Sequence, residues 1–476
     1  MSHAHHAPEA AAGAPPHPRR WTALVLLCLA QFMLIVDITV VQVALPTIGT
    51  DLALGRDALT WVVTTYTLAF GGLMVFGGRL ADAFGARRTL LTGLVLFTLA
   101  SLLCGLANTG GVLITGRALQ GIGAALLSPS ALSIITSTFT GRERNRALGV
   151  WAAIGGSGAA AGVLLSGLLT AGPGWEWVFF VNVPIGVLVV LVLPSVVPAN
   201  GGQARRAGVD LPGAIAVTLA TGLLIYALVH AGDAGWGSAG TVLGLGGSVL
   251  AYAAFGWIES RTRHPLMTPS AFARRPVLSG TFLMLIATGV LLGLFFLTSL
   301  YFQHVLGFSA LKTGLLFLPV ALAITLGAQL AAHLLGKVGG RPVAVGAFVL
   351  TAVGASLLTR IDPAGSVYTG VLPGFLIAAL GLGPLFVTAT STTLANVGHT
   401  ESGVASGVIN TFHELGGSIG VAVVSTVAAG SIAGDAGVGG FTAAYLLCAI
   451  AAPVAAVVAA VLVPAGKPRA VAGHGH

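Results

Sequence analysis

Charge is scarce in this chain. Asp, Glu, Lys and Arg make up only 8% of its 476 residues, against 55% hydrophobic ones, and the mean hydropathy is +0.95. A soluble globule of this length needs a more polar surface, so the composition calls for lipid as solvent. Cysteine is also rare: Cys28, Cys104 and Cys448 all fall inside apolar stretches. That excludes a disulfide framework and a thiolate ligand cluster, and no metal site is expected. No HExxH, phosphate-binding P-loop or pair of facing aspartates occurs, and His304 and His333 stand alone at helix ends. An intramembrane enzyme, which needs such a constellation, is therefore the least favoured class, together with a passive channel, which would need a selectivity ring. The sequence pI is near 9.9, yet its basic residues are dispersed over short loops. This fits attraction to anionic lipid headgroups and no nucleic-acid partner.

What is abundant is long apolar sequence. Fourteen stretches approach the roughly 20 residues needed to cross a hydrocarbon core of about 30 Å. Of the 22 Lys+Arg residues, eighteen fall in alternate gaps between these stretches; Arg56, Lys312 and Arg360 lie in the opposite gaps and Arg117 lies within a span. Basic residues near helix ends are retained in the cytoplasm, so the bias predicts a multi-pass protein of the cell membrane with both termini cytoplasmic. The first stretch follows Arg19-Arg20, contains Asp37 and is too long for a signal-peptide core, so it reads as a retained helix.

A gapless shift of 254 residues lays RLADAFGARRTLLTGLVL (79–96) on HLLGKVGGRPVAVGAFVL (333–350), pairing Gly85 with Gly339 and Arg87 with Arg341. The same shift puts Gly149-Val150 on Gly403-Val404 and Gly162 on Gly416. The expected fold is thus an all-α polytopic protein of 14 transmembrane helices, with two six-helix pseudo-repeats and an inserted helix pair. The expected domains are a disordered His-rich tail (1–20), an N-terminal bundle (21–194), a hairpin with its linkers (195–275), a C-terminal bundle (276–464) and a second tail (465–476). Parallel repeats of six helices are the build of transporters that rock one half against the other around a site near the bilayer midplane.

The string GRLADAFGARRTL (78–90) closely resembles the loop between helices 2 and 3 of the major facilitator superfamily, through Gly78, Leu80, Asp82, Gly85, Arg87 and Leu90; Ala83 and Ala86 replace basic residues usual there. LIVDITVVQVALPTI around Asp37, LITGRALQGIGAA with Arg117 and Gln120, WEWVFFVNVPIG with Asn182, and YFQHVLGFSALKTGLLFLP look like the fourteen-helix drug:proton antiporter branch. The resemblance implies a multidrug-efflux type transporter: a proton-coupled exporter of amphipathic, lipophilic small molecules working by alternating access, with the proton gradient as its energy source and no cofactor. Its partners would be a small-molecule substrate, protons and the lipid bilayer, and a monomer is the simplest assembly. A dedicated exporter of one endogenous metabolite or antibiotic, or a proton symporter, remains open. Gly78, Asp82, Gly85, Arg87 and Arg88 would form a conformational-switch loop, in which an acid at a helix end binds basic groups or helix-terminal amides in one state and releases them in the other. The fifth helix departs from the family pattern: GAAAGVLLSG keeps Gly158 and Gly162 but has Val163 for a proline and Ser166 for a glycine. Gly158, Gly162 and Ser166 still form a flat packing ridge.

An ionisable side chain near the centre of a span costs about 2.5–3.5 kcal/mol, so it needs a partner or a water-filled cavity. Three stand out: Asp37, Arg117 and Glu414. Counting about 1.5 Å per residue, Asp37 lies roughly 24 Å from the basic start of helix 1 and Arg117 roughly 10 Å from the opposite start of helix 4. Both occupy a similar depth, and they are expected to pair. Burial favours a neutral carboxyl and a nearby guanidinium favours a charged one, so opening and closing of a cavity would shift the balance and suit proton coupling; a static ion pair is the plainer alternative. A cationic substrate could compete for the same carboxylate. Glu414, preceded by His413, is a second proton or cation site or, equally, a carboxyl bonded to neighbouring polar groups. Gln31, Gln42, Tyr66, Gln120, Gln303 and Asn410 are polar groups in oily helices that could line the cavity. Phe295, Phe296, Tyr301 and Phe302 could add an aromatic wall, although packing is the commoner use of such residues.

Overall fold

In the computed structural model, residues 19–54, 56–198, 211–262, 274–394, 402–432 and 437–465 are described. The expected His-rich tail, most of both linkers and the final tail lie outside them. Fourteen long helices follow one another: α1 Arg20–Asp51, α2 Arg56–Phe84, α3 Ala86–Gly105, α4 Gly110–Thr138, α5 Gly141–Ala171, α6 Asn182–Val196, α7 Leu211–Ala234, α8 Ala239–Arg261, α9 Arg275–Leu300, α10 Ala310–Val338, α11 Gly340–Leu358, α12 Leu372–Leu394, α13 Ser402–Ile432 and α14 Gly439–Leu462. Single turns at Trp177–Phe180 and Val367–Gly370 lead into α6 and α12, and a π turn at Tyr301–Val305 ends α9. Thirteen spans among the described residues are long and apolar enough to cross a membrane, and α5, of 31 residues, makes the fourteenth crossing.

The ends of these helices follow from local chemistry. Thr109, Ser238 and Ser309 each accept a bond from the backbone N–H three residues on, at 3.4, 3.3 and 3.3 Å, and so start α4, α8 and α10. Gly85 and Gly339 break the chain between α2 and α3 and between α10 and α11 with φ of 94° and 87°, a region that side chains disfavour. These two glycines correspond under the shift of 254, as do the bounds of α2 and α10.

Within the first six helices α4 packs on α2 and α3, and α5 packs on α1; within the last six, α12 packs on α10 and α11, and α13 on α9. The two sets meet where α2 lies against α13 and where α5 lies against α10. These two seams exchange under the repeat, as a pseudo-two-fold axis requires. Both need small residues: a Cβ on Gly407 of α13 would stand 2.6 Å from the Met74 carbonyl oxygen of α2, and one on Gly149 of α5 would stand 3.3 Å from Ala332 Cβ of α10. The inserted α7 covers the α2/α13 seam, and α8 packs on α7, fastened by Thr221 to Tyr252 (2.9 Å) and by Ser248, which donates to the Ala220 carbonyl (2.8 Å). Leu243, Val249 and Leu250 on α8 are exposed, as residues facing acyl chains should be.

Candidate functional site

Five helices of the first half converge on Asp37. Arg117 of α4 donates to one carboxylate oxygen (2.5 Å); Gln120, one turn along α4, donates to the other (2.9 Å), and so does Asn182 at the start of α6 (2.8 Å). Arg117 also reaches Gln120 Oε1 (2.8 Å) and the Val62 carbonyl of α2 (3.2 Å), while its guanidinium lies 4.2 Å from the centre of the Tyr66 ring. Gln120 completes the set by donating to Ser101 of α3 (2.8 Å). Asp37 and Gln120 are 0% exposed and Arg117 is 1% exposed. In a medium without water such a pair needs its other donors and acceptors met, and Gln120, Asn182 and the Val62 carbonyl meet most of them, while Asn182 Oδ1 and the Tyr66 hydroxyl are left without a partner.

The expected pairing of Asp37 with Arg117 is therefore present, but neither residue borders the space between the halves. That space is a cavity of about 190 Å³. The first half lines it with Gln31, Ile35, Ile38 and Thr39 of α1, Phe70 and Met74 of α2, Ser128 of α4 and Trp151 of α5. The second half contributes Met284, Leu292 and Phe295 of α9, Phe386 and Thr390 of α12, and Asn410, His413 and Glu414 of α13. Gln31 and Asn410 thus stand where expected. Tyr66 and Gln120 do not: both are absorbed into the Asp37 network, because a buried guanidinium and carboxylate draw in the nearest ring face and amide. Gln303 bonds Ser299 in the π turn (2.9 Å) and is also away from the cavity. The side chain of Gln42 lies outside the described residues. Of the four aromatics, Phe295 reaches the cavity, whereas Tyr301 and Phe302 are packed into the second half. His413 and Glu414 both line it, although they are neighbours on one helix; the His413 ring turns to Phe386 (centroids 5.9 Å apart) and to the Thr288 hydroxyl (3.5 Å).

The ridge on α5 faces α1. A Cβ on Gly158 would come within 2.8 Å of Ile35, and one on Gly162 within 2.7 Å of Thr39, so both glycines set the position of two cavity-lining residues. The side chains of Ser166 and Val163 lie outside the described residues.

At the end of the bundle that carries the arginine-rich loops, Asp82 accepts a bond from the Val404 N–H in the first turn of α13 (2.9 Å). A carboxylate at a helix N-terminus meets unsatisfied amides and the positive end of the helix dipole. Gly85, at φ 94°, ends the helix that presents it, whereas Gly78 lies within α2. Arg87 and Arg88 have no such tie to α13; Arg88 is exposed and Arg87 half-buried. Nearby, Arg144 of α5 donates to the Leu394 carbonyl at the end of α12 (2.9 Å). Sequence reasoning missed Val404 as the partner of Asp82, missed the contact of Arg144 with Leu394, and missed Asn182 as a donor to Asp37, because nothing along the chain says which helix end meets which.

The architecture and site define a class: a membrane protein of two six-helix halves enclosing a central cavity, latched at one end. The chain belongs to the Major Facilitator Superfamily, whose sequence profile matches residues 27–421. It is 41% identical over 430 residues to the puromycin resistance protein pur8 of Streptomyces alboniger, covering 89% of this chain and 85% of that one. It is 38% identical over 420 residues to the cephamycin export protein CmcT of Amycolatopsis lactamdurans (87% and 86% covered) and 33% identical over 408 residues to the multidrug resistance protein Stp of Mycobacterium tuberculosis, strain CDC 1551 / Oshkosh (85% and 75%). The proton:xylose symporter XylE shares the fold at a TM-score of 0.67 with 16% identity, covering 94% of this chain and 97% of that one.

Proposed function

We propose that the protein exports amphipathic small molecules across the cell membrane by alternating access, driven by inward proton flow, as a monomer with both termini in the cytoplasm and with no cofactor or catalytic step. The observation that carries this reading is the cavity between the halves, closed toward the arginine-rich end by the Asp82 and Arg144 latches. With that end in the cytoplasm, the structure is a cytoplasm-closed state. Its cavity of about 190 Å³ is smaller than the roughly 300–1,000 Å³ of a drug-sized pocket, so cargo enters only when the halves part. Relatives named for resistance to puromycin, export of cephamycin and multidrug resistance support export. A narrower reading, a dedicated exporter of one antibiotic, is supported by the first two names.

In this reading Asp37 carries the proton. Ile38, the next residue on α1, lines the cavity about 100° around the helix from Asp37, so its carboxylate would reach the water there by a rotation of α1 of that order or by a parting of the helices that enclose it. In the present state Arg117, Gln120 and Asn182 hold it. The test uses sealed vesicles containing the protein and an internal pH dye. Adding substrate to the wild type should move protons, and Asp37→Asn should abolish that movement; undiminished substrate-dependent flux in the variant would reject Asp37 as the carrier.

A further inference from the structure

We infer that Glu414 is the charge-selecting residue of the cavity and that the cargo it admits is a lipophilic organic cation, a protonated or quaternary amine on an aromatic or aliphatic body. This rests on the reading of the cavity as the transport site and adds the chemistry of its guest. Asp37 and Glu414 differ in one respect that matters here. The Asp37 carboxylate is met by three donors and sealed behind the cavity wall. Glu414 lines the cavity and makes no hydrogen bond or ion pair among the described residues. Gly71 of α2 lies close by, where an added Cβ would stand 3.6 Å from Glu414 Cβ, and a glycine brings no side-chain donor.

An acid in the membrane without a partner marks a place where something else supplies the countercharge. The rest of the lining agrees in sign. No Lys or Arg is among the cavity-lining residues, where His413 is the one base, so an ionised Glu414 would favour a cationic guest over an anionic one. On α1 the Gln31 Oε1 is a buried acceptor without a hydrogen-bond partner, and it too waits for a donor. Phe70, Phe295, Phe386 and Trp151 also line the cavity, and aromatic rings can attract a cation by their quadrupole and shelter its apolar body. Asn410 is already engaged, donating to Ser128 (3.3 Å).

The test uses the full-length purified protein and a matched pair of probes, an arylalkyl-trimethylammonium ion and its uncharged tert-butyl isostere, with binding followed by calorimetry. The wild type should prefer the cation. Glu414→Gln should weaken the cation about tenfold or more and leave the isostere within about twofold, and Glu414→Asp should keep the preference. Trp151→Ala should weaken both probes alike. A wild type without preference for the cation, a preference that survives Glu414→Gln, or an equal loss of both probes in that variant overturns the assignment of Glu414. If Trp151→Ala leaves both probes unchanged, binding lies elsewhere and the reading of this cavity falls as well.

Discussion

The two halves solve the same packing problem with opposite chemistry. Under the shift of 254, the positions of Asp37 and Arg117 correspond to Leu291 and Val371, and Gln120 corresponds to Gly374. Where the first half holds a five-helix polar network, the second holds phenyl rings: Phe295 against Phe317 (centroids 4.8 Å apart), Phe295 against Phe375 (5.1 Å) and Phe317 against Phe375 (5.9 Å), all near edge-on. Edge-on contact suits the ring quadrupole and leaves no polar group to satisfy. A buried ion pair holds a fold together no better than well-packed apolar groups do. The second half shows that this architecture stands without one, so stability alone does not account for the pair in the first half.

Four substitutions would break or sharpen this contrast. The largest effect is expected from Arg117→Met, which leaves Asp37 uncompensated in an apolar medium; about 3–5 kcal/mol of stability should be lost, read as an earlier thermal transition in detergent, together with proton-coupled transport. Phe375→Ala in the second half should cost about 3 kcal/mol through lost packing. Substrate-dependent proton movement should persist in whatever fraction of that variant remains folded; if it vanished, the assignment of proton coupling to the first half alone would fail. Asp82→Ala removes the carboxylate from the α13 N-terminus and should weaken the latch by about 1–2 kcal/mol. Spin-label distances across the α2/α13 seam at the arginine-rich end should then show a larger open population. The smallest effect is expected from Trp236→Phe, which keeps a ring on the inserted hairpin but deletes the 3.0 Å bond from its indole N–H to Thr426 of α13. A loss of about 1 kcal/mol or less is expected, with transport retained.

Much of this was legible along the chain. The depth count put Asp37 and Arg117 level, and they meet; the switch-loop motif marked Asp82, and it reaches across to the other half. Other assignments failed where rotation about a helix axis decided the outcome. Tyr66 and Gln120 are polar residues in apolar helices, as are Gln31 and Asn410, yet the first two serve the ion pair and the last two face the cavity. Each step along a helix turns about 100°, so a residue's facing depends on which side its neighbours occupy. Phe295 and Phe302 are split between cavity and core for another reason: seven residues make nearly two full turns, so distance along the axis and the π turn, not rotation, separate them.

Sequence alone determined the number of crossings, the side that gathers arginines, the repeat and the identity of the membrane-buried acids. Each of these depends on composition, on spacing along one chain or on depth counted from a helix end, and transfer into lipid makes such signals strong. Only the tertiary structure decided that Asp37 is enclosed by Arg117, Gln120 and Asn182 while Glu414 stands open to the cavity, and that Asp82 and Arg144 latch the halves at one end. Those outcomes depend on helix rotation and on contacts between segments hundreds of residues apart, which local pattern does not encode.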